Sequence, residues 1–275
     1  MRNKIFILTA VHNEIVDTKK LLRSIYSQTY KNFAVYLVDD GSTDGTSKFI
    51  QTNYPEVNIL KGDGNLWWTG SLNLALRRIL EESSDNDYVW IINNDCHFSK
   101  DTLKNIYIFE KALGGSKNII GSVVLNEKTK RIEDNGVKID WRRLKFSTGG
   151  TDAISTKGTL YPTAVFKKIG LFDAKHFPHY FSDYEFSIRA KRMGYNLLVC
   201  HKSRIYNKAE RTGIGNIPAK PSVTQAFGLL VSRKSKVNLM LQINMIRYVC
   251  PKEYRFGSFQ TLISKIFKII PLGVK

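Results

Sequence analysis

Long apolar runs are the first thing missing from this 275-residue sequence. No stretch of about 18 uncharged apolar residues occurs, so no segment is expected to span a bilayer. Met1-Arg2-Asn3-Lys4 leads straight into a strand-like run. It lacks the apolar core and small-residue cleavage site of a signal peptide. Cysteine is scarce: Cys96, Cys200 and Cys250 are far apart, odd in number and form no CxxC pair. Zinc ribbons are thereby excluded, and a reducing cytosolic compartment is the expectation. Acidic residues are nearly absent from the end of the chain. His201 to Lys275 holds 14 Lys and Arg against 2 Asp and Glu, a net +12 of the total +18. An acidic partner there, an anionic membrane surface, phosphates or nucleic acid, is the natural expectation; the alternative is a solvated basic face.

What is present describes a folded protein. Hydrophobic residues make up 43% and aromatics 12%, enough for a large core and against wholesale disorder. Apolar runs at Lys4 to Val11, Phe33 to Val38, Val57 to Leu60, Tyr88 to Ile92 and Asn118 to Leu125 read as strands. Helical spacing fills Ile15 to Gln28, Thr43 to Tyr54, Ser71 to Glu82 and Asp101 to Leu113. Strands alternating with helices imply a mostly parallel sheet with helices on both faces. Ligands of such sheets gather at the carboxyl ends of the strands.

After about residue 126 the pattern changes. Glu133-Asp134-Asn135-Gly136 reads as a turn in an antiparallel region, with short helices over Ala164 to Ile169 and Tyr184 to Met193 and a strand over Asn196 to Cys200. Ala226 to Tyr248 is a helical pattern broken by Arg233-Lys234-Ser235-Lys236. Phe256, Phe259, Ile263, Ile266, Phe267 and Ile270 then recur every three or four residues, with Ser258, Thr261, Ser264, Lys265 and Lys268 between them. This amphipathic stretch suits a membrane interface; the alternative is a helix packed on the core or on a second subunit of a homo-oligomer. The expected division is 1–207 as one domain, split into halves 1–125 and 126–207, and 208–275 as a basic helical extension.

The informative polar residues stand at strand ends: Thr9-Ala10-Val11-His12-Asn13-Glu14, Asp39-Asp40-Gly41-Ser42 and Asn93-Asn94-Asp95. In a parallel sheet they line one crevice, where acidic groups repel one another unless a cation or ligand donors intervene. These segments, with Leu22 to Tyr30, Val38-Asp39-Asp40-Gly41-Ser42-Thr43-Asp44-Gly45-Thr46, and Asp183-Tyr184-Glu185 followed by Arg189 and Gly194-Tyr195, resemble the family-2 glycosyltransferases. The resemblance covers about residues 4–207. It implies the GT-A nucleotide-diphospho-sugar transferase fold and an inverting, metal-dependent hexosyltransferase.

Residue by residue, the resemblance implies that Asp40 reads the base of a UDP- or dTDP-linked sugar, since a carboxylate facing N3–H rejects cytosine. Thr9, Val11 and Glu14 would line the same pocket. Asp95 would ligate Mg2+ or Mn2+, with Asn94 facing the ribose. Asp183 would be the catalytic base and Glu185 its reserve; Ser182 departs from the acid usual before the base. Gly62-Asp63-Gly64-Asn65-Leu66-Trp67-Trp68-Thr69-Gly70 resembles rhamnosyltransferase-like members. There Gly64 admits close approach of the backbone, Asn65 bonds ribose or phosphate, and Trp68 or Trp67 stacks on a ring or joins the core. His176 and His179 are not spaced as a metal pair, and either His201 or Asn207 fits a place that assists the metal.

The expected partners are a nucleotide-sugar donor, a saccharide or lipid-linked saccharide acceptor, and an anionic membrane surface under the C-terminal extension. This makes a peripheral protein on the cytoplasmic face of the membrane. Three other readings compete. Sugar-1-phosphate nucleotidyltransfer wants a glycine-rich loop after strand one, and Thr9 to Ile15 has no glycine. Nucleic-acid binding wants basic residues interleaved with aromatics, whereas the C-terminal aromatics pair with aliphatics. A glycosidase with paired carboxylates does not account for the ordered strand-end motifs.

Overall fold

The computed structural model describes residues 3–115, 117–208 and 222–269. Met1, Arg2 and Ile270, used in the reading above, lie outside them. Eleven strands and nine α-helices occur among the described residues. The first half alternates β1 (Ile5–Val11), α1 (Ile15–Tyr26), β2 (Phe33–Asp39), α2 (Thr46–Asn53), β3 (Asn58–Lys61), α3 (Trp67–Glu82) and β4 (Tyr88–Ile91). Then follow β5 (Cys96–Phe98), α4 (Thr102–Ala112), β6 (Asn118–Asn126), β7 (Ile132–Asp134), β8 (Val137–Asp140), β9 (Lys145–Thr148), β10 (Thr159–Pro162), α5 (Thr163–Ile169), α6 (Ser182–Arg192) and β11 (Asn196–Asn207). The chain closes with α7 (Val223–Val231), α8 (Leu239–Asn244) and α9 (Arg255–Ile269).

One sheet runs β3-β2-β1-β4-β10-β6-β11-β5, with β7 beside β6. β3, β2, β1, β4, β6 and β11 share a direction; β10, β5 and β7 run against it. Alternate residues of β1 serve two cores. Ile5, Ile7 and Val11 pack with Leu21, Leu22 and Ile25 of α1 and Leu103 and Ile106 of α4. Phe6, Leu8 and Ala10 pack with Leu72, Leu76 and Ile79 of α3 and Phe186 of α6. Burial on both faces is why these strands read as unbroken apolar runs.

β10 and β5 were not expected from the sequence. β10 is four residues long and ends in proline, yet it fills the gap between β4 and β6, with Thr159 opposite Ile91. β11 extends past the expected Cys200 to Asn207, resuming after an irregularity between Cys200 and Arg204. The turn expected at residues 133–136 leads into a two-stranded antiparallel sheet of β8 and β9.

The C-terminal segment packs on the second half of the molecule. Leu241, Met245 and Val249 share a core with Val137, Ile139, Phe177, Phe181 and Ile188. In α9, Leu262, Phe259 and Ile266 lie with Leu144, Ile246 and Trp141. The polar residues of α9 grip the turn between β8 and β9: Ser258 Oγ donates to Trp141 O, Thr261 Oγ1 to Arg142 O and Lys265 Nζ to Leu144 O, each at 2.7 Å. Phe256, Ile263 and Phe267 consequently face outward. No described helix is long and apolar enough to cross a membrane.

Candidate functional site

The carboxyl ends of β1, β2 and β4 meet as the topology requires. Asp40 N donates to Val11 O and Gly62 N to Asp39 O, both at 2.9 Å. The β1 and β2 loops are stitched together by side chains. Asn13 N donates to Ser42 Oγ at 2.9 Å, Thr43 N to Asn13 Oδ1 at 2.7 Å, and Ile15 N to Asp44 Oδ2 at 2.9 Å. Burial alone would raise the Asp44 carboxyl, but bonds from Thr46 and from the Ile15 amide outweigh it and hold it below its ordinary value. Asp39 is spent on the turn, accepting from Ser42 N at 2.9 Å and from the Ser47 hydroxyl.

Asp40 organises the next loop. Its Oδ1 accepts from Gly64 N at 2.8 Å and Leu66 N at 3.4 Å, and its Oδ2 from Trp67 N at 3.1 Å. The carboxylate thus caps the start of α3, where backbone donors would otherwise be orphaned. Two glycines make this approach possible. A Cβ on Gly62 would meet Asp40 Oδ1 at 2.4 Å, and one on Gly41 would meet Gly64 Cα at 2.9 Å. Asn13, Trp67 and Phe181, with φ of 53°, 57° and 67°, are held in left-handed conformations around this region. Such strain persists only where the surroundings enforce it.

The remaining expected donor residues sit as follows. Thr9 is fully buried and its hydroxyl has no hydrogen-bond partner among the described residues. Val11 is buried and Glu14 half-buried. Gly64 and Asn65 are exposed on the loop. Trp68 packs against the core under α3, while the Trp67 ring meets His179 at 5.6 Å between centroids. The buried atoms Asn93 Oδ1 and Asn94 Nδ2 have no hydrogen-bond partner among the described residues, which is uncommon for buried polar atoms.

Asp95 follows β4. Burial pushes its carboxyl above the ordinary value, and Asp17 adds to this while Lys157 opposes it. Cys96 Sγ lies 3.7 Å from Asp95 Oδ1 and 3.8 Å from Asn207 Oδ1. Asn207 at the end of β11 therefore stands beside the acid, whereas His201 is exposed in the irregular stretch midway along β11. Among the described residues no group of three or more His, Cys, Asp or Glu converges as a metal cage. A carboxylate, neighbouring amide oxygens and an oxygen-rich ligand form a donor set of the kind hard divalent cations take.

Lys157 reaches this edge because β10 runs against β4, so the turn before β10 lies at the carboxyl end of β4; Gly158 N donates to Ile91 O at 2.9 Å. The Thr156 amide bonds the carboxylate of Asp183 in the first turn of α6. Burial raises the Asp183 carboxyl to about 6, helped by Asp134 and opposed by the Tyr184 amide and by Lys236. Glu185 is otherwise engaged: Arg189 Nε and Nη2 hold its two oxygens at 2.7 and 3.0 Å. His179 is driven down to about 4 by burial and by Lys234 and Lys236. His176 is paired with Asp173 at 2.7 Å. Sequence reasoning missed Lys157 and Lys236, which have no local signature and arrive only through the tertiary fold.

A second depression, about 640 Å³ between α9 and the turn after β8, is lined by Arg142, Tyr254 and Gln260 and lies away from these groups.

The family model described as glycosyl transferase family 2 matches residues 6–167. An uncharacterised glycosyltransferase of Rickettsia conorii is 28% identical over 137 residues, which are 47% of this chain and 21% of the relative. The N-acetylglucosaminyl-diphospho-decaprenol L-rhamnosyltransferase of Mycobacterium tuberculosis is 30% identical over 73 residues, 26% of this chain and 24% of that one. The chain thus spans under a quarter of the curated relatives it matches. Among solved structures, the mannosyltransferase PcManGT from Pyrobaculum calidifontis, in complex with GDP-Man and Mn2+, superposes with a TM-score of 0.60 at 16% identity over 97% of this chain and 70% of that one. S. aureus TarS in complex with UDP-GlcNAc gives 0.57 at 16% identity over 98% and 82%. The fold is GT-A-like.

Proposed function

The chain belongs to glycosyl transferase family 2, and from that premise we propose an inverting transferase. It moves a hexose or deoxyhexose from a UDP- or dTDP-linked donor to a glycan or lipid-linked saccharide in the making of a cell-surface polysaccharide. One observation carries the reading. Asp183, a carboxyl poised at about 6, is joined through Thr156 and Lys157 to the crevice of Asp95. A general base works best with a pKa near the operating pH.

In this reading Asp183 takes the proton of the acceptor hydroxyl as its oxygen bonds the anomeric carbon. The bond from that carbon to the diphosphate breaks in the same displacement, releasing the nucleoside diphosphate. Glu185 is tied to Arg189 and leaves the role to Asp183. Asp95 would hold Mg2+ or Mn2+, which would supply positive charge against the leaving diphosphate. A carboxylate offers roughly four lone-pair positions. Three of those on Asp40 are filled by loop amides, which leaves one for the N3–H of uracil or thymine. Thr9, Val11, Glu14, Gly64, Asn65, Trp68 and Asn94 complete the donor pocket.

A membrane-bound acceptor is consistent with the outward apolar stripes of α7 (Val223, Phe227, Val231) and α9 (Phe256, Ile263, Phe267) beside a basic C-terminal region. The protein would then work from the cytoplasmic face of the membrane. A thermal-shift panel of nucleoside diphosphates and nucleotide sugars, with and without Mn2+ or Mg2+, tests the reading. A metal-dependent rise with a uracil or thymine nucleotide is expected; no rise with any nucleotide overturns it.

A further inference from the structure

The C-terminal segment enters the candidate site itself. The turn joining α7 to α8 is firmly built: Asn238 Oδ1 accepts from Leu241 N at 3.0 Å, and Asn238 Nδ2 donates to Val231 O at 2.9 Å. Gln242 Nε2 donates to Lys236 O at 2.8 Å, and the Tyr180 hydroxyl donates to Lys234 O at 3.4 Å. Lys236 Nζ stands 5.6 Å from the centroid of the Tyr180 ring, three residues before Asp183. This fixes the ammonium at the mouth of the crevice rather than on the outer basic face.

Lys236 is half-buried, and burial lowers its pKa, with Lys157 adding to the effect and Asp183 and Asp134 opposing it. Lys157 and Lys236 thus feel one another's charge, Lys157 acting on Asp95 and Lys236 on Asp183 and Asp134. Among the described residues neither lysine makes an ion pair within 4.0 Å, although nine such pairs occur elsewhere. Two ammonium groups without a close ion-pair partner can both be engaged by an anion that lies between them.

We propose that Lys236, carried in by the C-terminal segment, and Lys157, on the turn before β10, grip the diphosphate of the donor and stabilise it as it leaves. The inference rests on the transferase reading and deepens it. It gives the extension a part in the chemistry, apart from any contact with lipid. It also makes good the single carboxylate at the metal position, because two ammonium groups supply positive charge where the leaving group develops negative charge. The Ser232–Asn238 turn is then one wall of the donor site, and the donor is enclosed between the first half of the chain and its end.

The test is a calorimetric titration of the full chain with UDP and dTDP, with the matching nucleosides, and with inorganic pyrophosphate as competitor. Lys236→Met and Lys157→Met should each weaken the preferred nucleoside diphosphate about tenfold or more while leaving the nucleoside unchanged. Lys236→Arg should restore most of the loss, and pyrophosphate should compete less well in both Met variants. Lys252→Met, on the exposed surface, serves as the control. Equal losses for nucleoside and diphosphate, or wild-type affinity in both Met variants, would overturn the inference and leave the transferase reading standing. Wild-type protein that binds no nucleotide would overturn both.

Discussion

Gly62 lies against Asp40 so closely that a Cβ at position 62 would stand 2.4 Å from Asp40 Oδ1 and 3.0 Å from Asp40 Cα. The contact explains how one carboxylate bonds the amides of Gly64, Leu66 and Trp67 at once. Gly62→Ala should push the 62–67 loop off the carboxylate and cost about 1–3 kcal/mol, the usual range for overpacking. Asp40→Asn should cost a comparable amount, because its NH2 group faces donors. Chemical denaturation measures both. Nucleotide titration should show weaker binding in each, and full affinity in Gly62→Ala would mean that the loop is not part of the donor site.

Asp183 gives a pH signature with a definite sign. As a base it must be ionised, so the transfer rate should climb as pH rises through about 6 and then level off. Stability runs the other way. A carboxyl raised from its ordinary value of 3.8 to about 6 stabilises the fold fully below the lower value. That contribution is lost as pH rises through the upper one. Asp183→Asn does not titrate, so its melting temperature relative to wild type should increase between about pH 4 and pH 6. The same variant should retain donor affinity and lose transfer by a hundredfold or more, roughly the size of a general-base effect. Retained transfer would reassign the base.

The strand-end motifs were legible in the sequence because parallel strands buried on both faces are unbroken apolar runs, so Asp39-Asp40 and Asn93-Asn94-Asp95 stand out at their ends. Their convergence followed from the alternating pattern alone. β10 was not legible: four residues ending in Pro162 carry no periodicity, and the strand exists because Thr159 to Pro162 fit between β4 and β6. Asp183 was legible as a residue, whereas its raised pKa depends on burial and on Asp134, from the end of β7. Lys236 was legible only as part of a basic break in a helical pattern, and the packing of Met245 and Val249 onto Phe177 and Phe181 carries it to the crevice. The α9 stripe was legible as amphipathic, but the structure splits it: Phe259, Leu262 and Ile266 dock together with Ser258, Thr261 and Lys265, and Phe256, Ile263 and Phe267 stay outside.

Asp95 should answer differently to metal and to pH. Its carboxyl is raised by burial with Lys157 the opposing cation, and a divalent ion would add far more positive charge at that point. Asp95→Asn should therefore abolish the Mn2+-dependent part of the thermal shift with nucleoside diphosphate. The metal-independent part, owed to base contacts and lysines, should remain. Chelation of the wild type should reproduce the variant. A full Mn2+ response in Asp95→Asn would place the ion elsewhere.

The outward stripe of α9 makes the last prediction. Phe256 is 76% exposed and Phe267 59%, while Phe259 and Leu262 of the same helix are covered by Leu144, Trp141 and Ile246. Because α9 is anchored through Ser258, Thr261 and Lys265, replacing the outer pair should not unseat it. Phe256→Ser with Phe267→Ser should leave the melting temperature within about 2 °C, since exposed substitutions usually stay within ±0.5 kcal/mol. Each phenyl ring removed from a bilayer interface forfeits apolar burial worth roughly 1.5–3 kcal/mol at full insertion. Flotation with vesicles rich in anionic lipid should therefore fall at least tenfold for the double variant. It should fall with added salt for the wild type as the basic segment is screened. If the double variant floats as well as wild type, α9 does not touch lipid. A concentration-dependent change in sedimentation that the two substitutions abolish would instead assign the stripe to a second copy of the chain.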